Sequence, residues 1–310
     1  MELERITLGN VEVFKVVELQ GRFGAPGAMI PDLPPEVWRE NREWLVPDFW
    51  DPDSDSVVAA VQTWVLRSEG RTVLVDTGVG NGRERPGAPH FAGWDTDFLD
   101  RLARAGVRPE DVDVVVNTHL HGDHVGWNTV ERDGAWVPTF PNATYLIPAA
   151  DHAFYGPGGA ARTAGDNHRF VFADSVEPVV RSGRAVLWDG THRVDGNLVL
   201  ESAPGHTPGS SVLRLASGGD RAVFVGDLVH SPVQLLEPSC SSGLCQDPRR
   251  SAASRRRILE RAADERELVI PAHFAGSGAA EVRREGDRFG LGLWAARDTS
   301  PRPPVTPAGS

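Results

Sequence analysis

The run His119-Leu120-His121-Gly122-Asp123-His124 puts three imidazoles and a carboxylate into six residues, directly behind the valine-rich segment Val112 to Val116. That segment reads as a strand buried on both faces. Several ionisable groups crowded at its end are costly to place unless a cation holds them. Imidazole and carboxylate are the ligands that zinc and related divalent ions prefer. In an extended turn His119 and His121 point to one side, and Gly122 lets the chain bend so that Asp123 and His124 reach another. One loop can thus feed two ions a few ångströms apart, the spacing of two-metal hydrolases.

Three more residues join this cluster. His206 lies in the turn-forming run Pro204 to Ser210, after a strand expected over Leu198 to Glu201. Asp227 follows a strand expected over Ala222 to Val225, and His273 follows one over Leu268 to Ile270. Each sits where a strand ends and a loop begins, the usual place for site residues on a layered scaffold. The pattern predicts that all converge at one edge.

Further strands are expected over Val11 to Glu18, Ala59 to Leu66, Thr72 to Val75, Tyr145 to Ile147, Ala185 to Trp188, Ser211 to Leu215 and Arg288 to Trp294. Helices are expected over Asp95 to Ala105 and Ser251 to Ala263. Strands in both halves with helices between them imply an α+β fold, a four-layer αββα sandwich, as one domain over residues 1–298. A Pro/Gly/Trp-rich arm at about 21–56 interrupts it, with a short helix opened by Pro34 and Pro35. Such arms often serve as lids or binding loops. The last residues, 299–310, have the composition of a disordered tail.

Composition removes several classes. Lys+Arg 32 against Asp+Glu 43 leaves a formal charge of −11, the opposite of what a nucleic-acid partner asks for. No apolar run approaches the roughly 18 residues of a membrane span. The start lacks the basic and apolar regions of a signal peptide. Two cysteines, Cys240 and Cys245, fit a reducing cytoplasm, and both are expected to be bystanders.

With these motifs assembled, the chain resembles the metallo-β-lactamase-fold hydrolases over roughly residues 10–295. His119, His121, Asp123 and His124 meet the family's His-x-His-x-Asp-His pattern, and His206, Asp227 and His273 follow in the family's order. The turn Val75 to Gly78 matches the family's early strand-turn element, which implies that Asp76 supports the site from behind the ligands. The resemblance implies one ion on His119, His121 and His206, a second on Asp123, His124 and His273, and Asp227 bridging. Zinc is the default metal, with manganese, cobalt or iron compatible with the same ligands. A hydroxide held between two such ions is a nucleophile at neutral pH, and Asp123 orients it or shuttles a proton.

Within the family the chain looks nearest the lactonase and methyl-parathion-hydrolase-like branch, on the segments His119 to Thr129 and Gly226 to Gln234. Homoserine-lactone lactonases carry a tyrosine three residues beyond the bridging aspartate; here that residue is His230. Protonated, it would donate to the substrate or leaving group; otherwise it is a buried imidazole. The expected reaction is hydrolysis of an ester, lactone or related acyl or phosphoryl centre of a small molecule. A thioesterase or glyoxalase II-like hydrolase, or a non-catalytic metal-binding module, is the alternative. Phe23, Trp50, Phe91 and Trp94 are candidates for an apolar pocket wall, and the arm is a candidate homodimer contact. His90, His152, His168 and His192 fall outside the motif and are expected at the surface. Arg255 to Arg257 read as a solvated helix face.

Overall fold

Valine alternation along the strands sorts the chain into layers, because successive side chains point to opposite faces. The computed structural model describes residues 5–86, 88–163, 166–286 and 288–294. The expected tail lies outside them. The first sheet takes β1 (Arg5–Leu8), β2 (Val11–Arg22), β3 (Trp50–Asp51), β4 (Ser56–Ser68), β5 (Arg71–Val75) and β6 (Val114–Val116). A separate hairpin, β7 (Thr129–Arg132) and β8 (Ala135–Pro138), interrupts it before β9 (Thr144–Pro148) and β10 (Ala185–Trp188) complete it. Its spatial order is β1-β2-β4-β5-β6-β9-β10, with β3 beside β4. The second sheet follows chain order: β11 (Thr191–Arg193), β12 (Leu198–Ser202), β13 (Ser211–Ser217), β14 (Asp220–Gly226), β15 (Leu268–Pro271), β16 (Ala280–Glu285) and β17 (Arg288–Trp294).

Val73, Val75, Val114 and Val116 face Leu213, Leu215, Ala222 and Phe224 of the other sheet in a shared core. Leu74 and Val115, one residue out of phase, pack outward on Phe98, Leu102, Tyr155 and Val179 of the helical layer. Across the molecule, Val212, Val223 and Val225 turn outward onto Ile258, Leu259 and Ala262 of the long helix Pro248–Glu265. The order is therefore helix, sheet, sheet, helix, as the strand pattern predicts.

The arm departs from expectation. It folds into three short helices, Pro26–Met29, Pro35–Glu40 and Arg42–Leu45. Its Ile30, Leu33, Trp38, Leu45, Phe49 and Trp50 are buried in the same cluster as the long helix and the outer face of the second sheet. It is part of the fourth layer, because its apolar side chains are satisfied within the subunit. Trp50 is accordingly a core residue, packed 6.3 Å from Trp38 with its indole N–H on Asp55, and does not line an open pocket.

Two further readings are corrected. The helix expected from Asp95 forms only over Phe98–Arg104, since the Thr96 backbone is held by the Asn81 amide at both its N–H and its carbonyl. Arg255 is buried, not solvated. Its guanidinium donates to the carbonyls of Leu228, Pro238 and Cys240 at 2.6, 2.7 and 3.0 Å and ties down the loop after Asp227. Arg256 and Arg257 do remain exposed. Where no element was expected, the short helices Ala149–Tyr155, Asp166–Val171 and Glu177–Arg181 pack on the outer face of the first sheet.

Strands β5, β6, β9 and β10 run parallel, as do β14 and β15. Ligands in such sheets gather outside the carboxyl ends of the strands. Among the described residues no helix is long and apolar enough to cross a membrane.

Candidate metal centre

The edge where these strands end collects the ionisable residues. Asp76 leaves β5, the segment His119 to His124 leaves β6, Asp151 follows β9, Asp227 leaves β14 and His273 leaves β15. Two glycines shape the approach. Gly226, at φ +51°, precedes Asp227, and a Cβ there would fall 2.7 Å from the Thr118 hydroxyl. Gly205, at φ +140°, precedes His206, and a Cβ there would lie 2.1 Å from the Ser251 nitrogen. Only glycine tolerates both the conformation and the approach.

Two clusters result. In the first, His121 Nδ1 lies 3.1 Å from His119 Nε2 and 3.0 Å from His206 Nε2, while Asp227 Oδ2 stands 3.7 and 3.3 Å from the same two nitrogens. In the second, Asp123 Oδ2 lies 3.6 Å from His124 Nε2 and 3.5 Å from His273 Nε2, and Asp227 Oδ1 lies 3.2 and 3.0 Å from them. One carboxylate thus offers a separate oxygen to each cluster.

The donor set fits divalent ions. Zinc bonds of about 2.0–2.1 Å give a tetrahedron with edges of about 3.3 Å, in the middle of the observed separations. A single proton on His121 Nδ1 cannot serve two facing imidazole nitrogens, whereas a cation satisfies all three lone pairs. His124 Nε2 and Asp227 Oδ1 are buried without a hydrogen-bond partner, an expensive arrangement for a protein to leave unresolved.

Charge distribution agrees. Burial first, then the neighbouring imidazoles, hold His119 and His121 well below the usual histidine range. At His124, burial is outweighed by the Asp227, Asp123 and Asp76 carboxylates, which raise it well above that range. Burial also opposes His206, but Asp227 and Cys245 lift it to about 9. Asp227 resists burial through His124, His273 and His230, and is held well below the usual carboxylate range.

Each of the five cluster histidines has its other nitrogen engaged. His119 meets the Thr118 hydroxyl at 3.1 Å, His121 the Tyr155 hydroxyl at 3.1 Å, His124 the Asp76 carboxylate at 2.9 Å, His206 the Cys245 thiol at 3.6 Å and His273 the Ala60 carbonyl at 2.9 Å. Asp76 also accepts from the Thr118 N–H and hydroxyl, both at 2.8 Å. Its φ of +56° is a left-handed conformation that Asp adopts more readily than most residues.

His230 is different. It is buried, its Nε2 stands 3.2 Å from Asp227 Oδ2 without hydrogen-bonding alignment, and neither ring nitrogen has a partner. Burial pushes it down to about 4 despite the Asp227 carboxylate, which favours the neutral ring over the protonated donor expected above.

Several residues here were missed or misjudged from sequence. Cys245 is no bystander, since it holds His206. His168, expected at the surface, is half-buried, and its ring stacks 5.7 Å from His121 and lies 4.7 Å from Tyr155. Asp151, fully buried, accepts from Leu120 N–H at 3.0 Å, the Thr207 hydroxyl at 2.8 Å and Gly209 N–H at 2.6 Å, stapling the His119–His124 loop to the His206 loop. Arg85 pairs in two-pronged fashion with Asp174, and Arg83 reaches the carbonyls of Gly126 and Thr129. No short motif marks any of these, because each acts across long sequence separations.

The expected wall residues divide. Phe23 and Phe91 are half-buried and lie 6.5 Å apart, joining the exit of β2 to the loop before Trp94. The Trp94 indole donates to the His90 carbonyl at 2.7 Å and closes the base of that loop.

Comparison with known proteins agrees with this geometry. The sequence pattern of the Metallo-beta-lactamase superfamily matches residues 57–273. Metallo-beta-lactamase domain-containing protein 1 of Rattus norvegicus is 28% identical over 206 residues, which is 66% of this chain and 61% of that protein. The chain thus spans less than two thirds of that relative's length. N-acyl homoserine lactonase AiiB of Agrobacterium fabrum is 29% identical over 128 residues, 36% of this chain and 46% of that protein. Among solved structures, the hydrolase AbOPH of the beta lactamase superfamily superposes with a TM-score of 0.76 at 21% identity, covering 93% of this chain and 96% of that one. The dizinc quorum-quenching lactonase AidC does so with a TM-score of 0.75 at 21% identity and the same coverage. At these identities the structural likeness speaks for the fold.

Proposed function

The chain belongs to the Metallo-beta-lactamase superfamily, and on that premise we propose that it is a dinuclear metal-dependent hydrolase of small-molecule esters or lactones. His119, His121 and His206 would hold one divalent ion, Asp123, His124 and His273 the other, and Asp227 both, with zinc the first choice for this nitrogen and oxygen set. The carrying observation is the split carboxylate of Asp227, one oxygen to each cluster. When bound, the ions would supply Lewis acidity and bring the pKa of water down to about 7.

The protein's own groups do the rest. Asp123 is the most exposed carboxylate of the site, with 16% of its side chain accessible, which supports a role in orienting a nucleophile and moving its proton. His230, with no competing partner, is free to donate a neutral imidazole N–H to the substrate's carbonyl or leaving oxygen. Gln234 accepts from the His230 backbone N–H at 2.7 Å and fixes that turn. Phe23 and Phe91 would offer apolar contact to the substituent of the substrate.

The relatives support the acyl reading, since lactonases occur among both the sequence relatives and the structural neighbours. The test is a substrate panel on zinc-loaded protein: γ- and δ-lactones, aryl esters, thioesters, phosphotriesters and nitrocefin. The reading expects lactones or aryl esters to lead by about a hundredfold in kcat/KM, about 2.7 kcal/mol of discrimination. A thioester or phosphotriester leading by that margin would move the chain to another branch, and inactivity on every class would favour a metal-binding module.

A further inference from the structure

The five partners behind the cluster histidines are chemically unequal. Behind His124 and His273 stand a carboxylate, Asp76, and an amide carbonyl, Ala60. Behind His119, His121 and His206 stand two hydroxyls and a thiol, those of Thr118, Tyr155 and Cys245. An acceptor behind an imidazole N–H polarises the ring and makes its ligating nitrogen more basic, and carboxylates and carbonyls do so more strongly than neutral hydroxyls or thiols. Formal charge among the ligands runs the same way. Asp123 adds a carboxylate to one cluster, the other has three neutral imidazoles, and Asp227 gives one oxygen to each.

Tyr155 decides the orientation of His121. The Nδ1 of His121 faces His119 and His206 at 3.1 and 3.0 Å, so with an ion on Nδ1 the proton would sit on Nε2 and be donated to the Tyr155 oxygen, 3.1 Å away. Tyr155 is buried at the end of the helix Ala149–Tyr155, and the His168 ring covers both partners. Without the phenolic oxygen, a buried N–H would lose its acceptor and the ring its reason to hold this rotamer.

We propose that the two positions bind divalent ions with unequal strength, the Asp123–His124–His273 position being the tighter, and that Tyr155 is the positioning residue that sets the affinity of the weaker one. This rests on the reading that the clusters hold ions at all. The experiment separates the two claims. Metal-free full-length protein is titrated with Zn2+ against a chromophoric chelator, for the wild type and for Tyr155→Phe, Cys245→Ala and Asp76→Asn. Two equivalents with dissociation constants at least about tenfold apart are expected for the wild type, from the usual worth of outer partners. Tyr155→Phe should weaken the looser class about tenfold and leave the tighter class in place. Cys245→Ala should weaken that same class, and carries the test if Tyr155→Phe does not fold. Asp76→Asn should weaken the tighter class. In the Co2+-substituted protein, Tyr155→Phe should displace one exchangeable imidazole N–H resonance.

Two ions of equal affinity in the wild type would overturn the proposal. So would a Tyr155→Phe variant that weakens the tighter class, both classes equally, or neither. A wild type that binds no Zn2+ would instead overturn the metal reading itself.

Discussion

His230 Nε2 lies 3.2 Å from Asp227 Oδ2, yet both nitrogens of its buried ring are without a hydrogen-bond partner. The five imidazoles of the two clusters are each held from behind. Under the proposed function, such a free ring beside the shared carboxylate would serve the substrate and not an ion. We expect His230→Gln to retain its bound zinc while kcat falls by about 10²-fold or more, the usual worth of a positioned proton donor. Metal analysis and steady-state kinetics on the same preparation check this, and joint loss of metal and rate would make His230 a ligand instead.

Gly226 gives a stability prediction. Its φ is +51°, and an added Cβ would meet the Thr118 hydroxyl at 2.7 Å. Gly226→Ala should cost about 2–4 kcal/mol, combining left-handed strain with overpacking. It should also displace Asp227 and lower zinc content. Denaturant unfolding and metal analysis read both effects.

The arm yields another. Trp38 is buried against Trp50 inside the fourth layer. Trp38→Ala should therefore destabilise the protein by about 3–5 kcal/mol. A movable lid would lose substrate affinity with little change in the unfolding midpoint, so the two behaviours are easily told apart.

Asp151 predicts a pH dependence. Burial raises its carboxyl from 3.8 to about 6, against the three donors that lower it. With the folded pKa raised, the proton is bound more tightly in the native state. The stability linked to that proton is fully present below about pH 4 and is lost as pH rises through about 6, a change of about 3 kcal/mol. In metal-free protein, the stability of wild type relative to Asp151→Asn should fall by about 2.4 kcal/mol from pH 4 to pH 7. Chemical denaturation at stepped pH measures it, and a relative stability of wild type that is constant or rises with pH contradicts the assignment.

Much of this architecture was legible in the chain because it rests on local signals. The alternation of Val73, Leu74 and Val75, or of Ala222, Val223 and Phe224, is visible without a structure and divides the two faces of each sheet. The seven residues singled out by spacing lie at one edge for a comparable reason, since each ends a strand. What escaped was set by contacts distant in sequence. Tyr155 meets His121 across 34 residues and Cys245 meets His206 across 39. No periodicity encodes such pairs. Arg255 looked solvated because its neighbours Arg256 and Arg257 are, and only the loop after Asp227 reveals why it is buried. The arm looked like a loop because its prolines and glycines hide short helices whose apolar residues serve the core.

The central claim, hydrolysis by a centre of two ions joined through Asp227, is tested most directly by titrating Zn2+ into metal-free protein while following lactone and aryl-ester hydrolysis. The account predicts no turnover without metal and full rate at about two equivalents per chain, with Asp227→Ala binding fewer ions and losing about 10³-fold or more in rate. Full activity in metal-free protein, or an Asp227→Ala variant that keeps two ions and the wild-type rate, would contradict it.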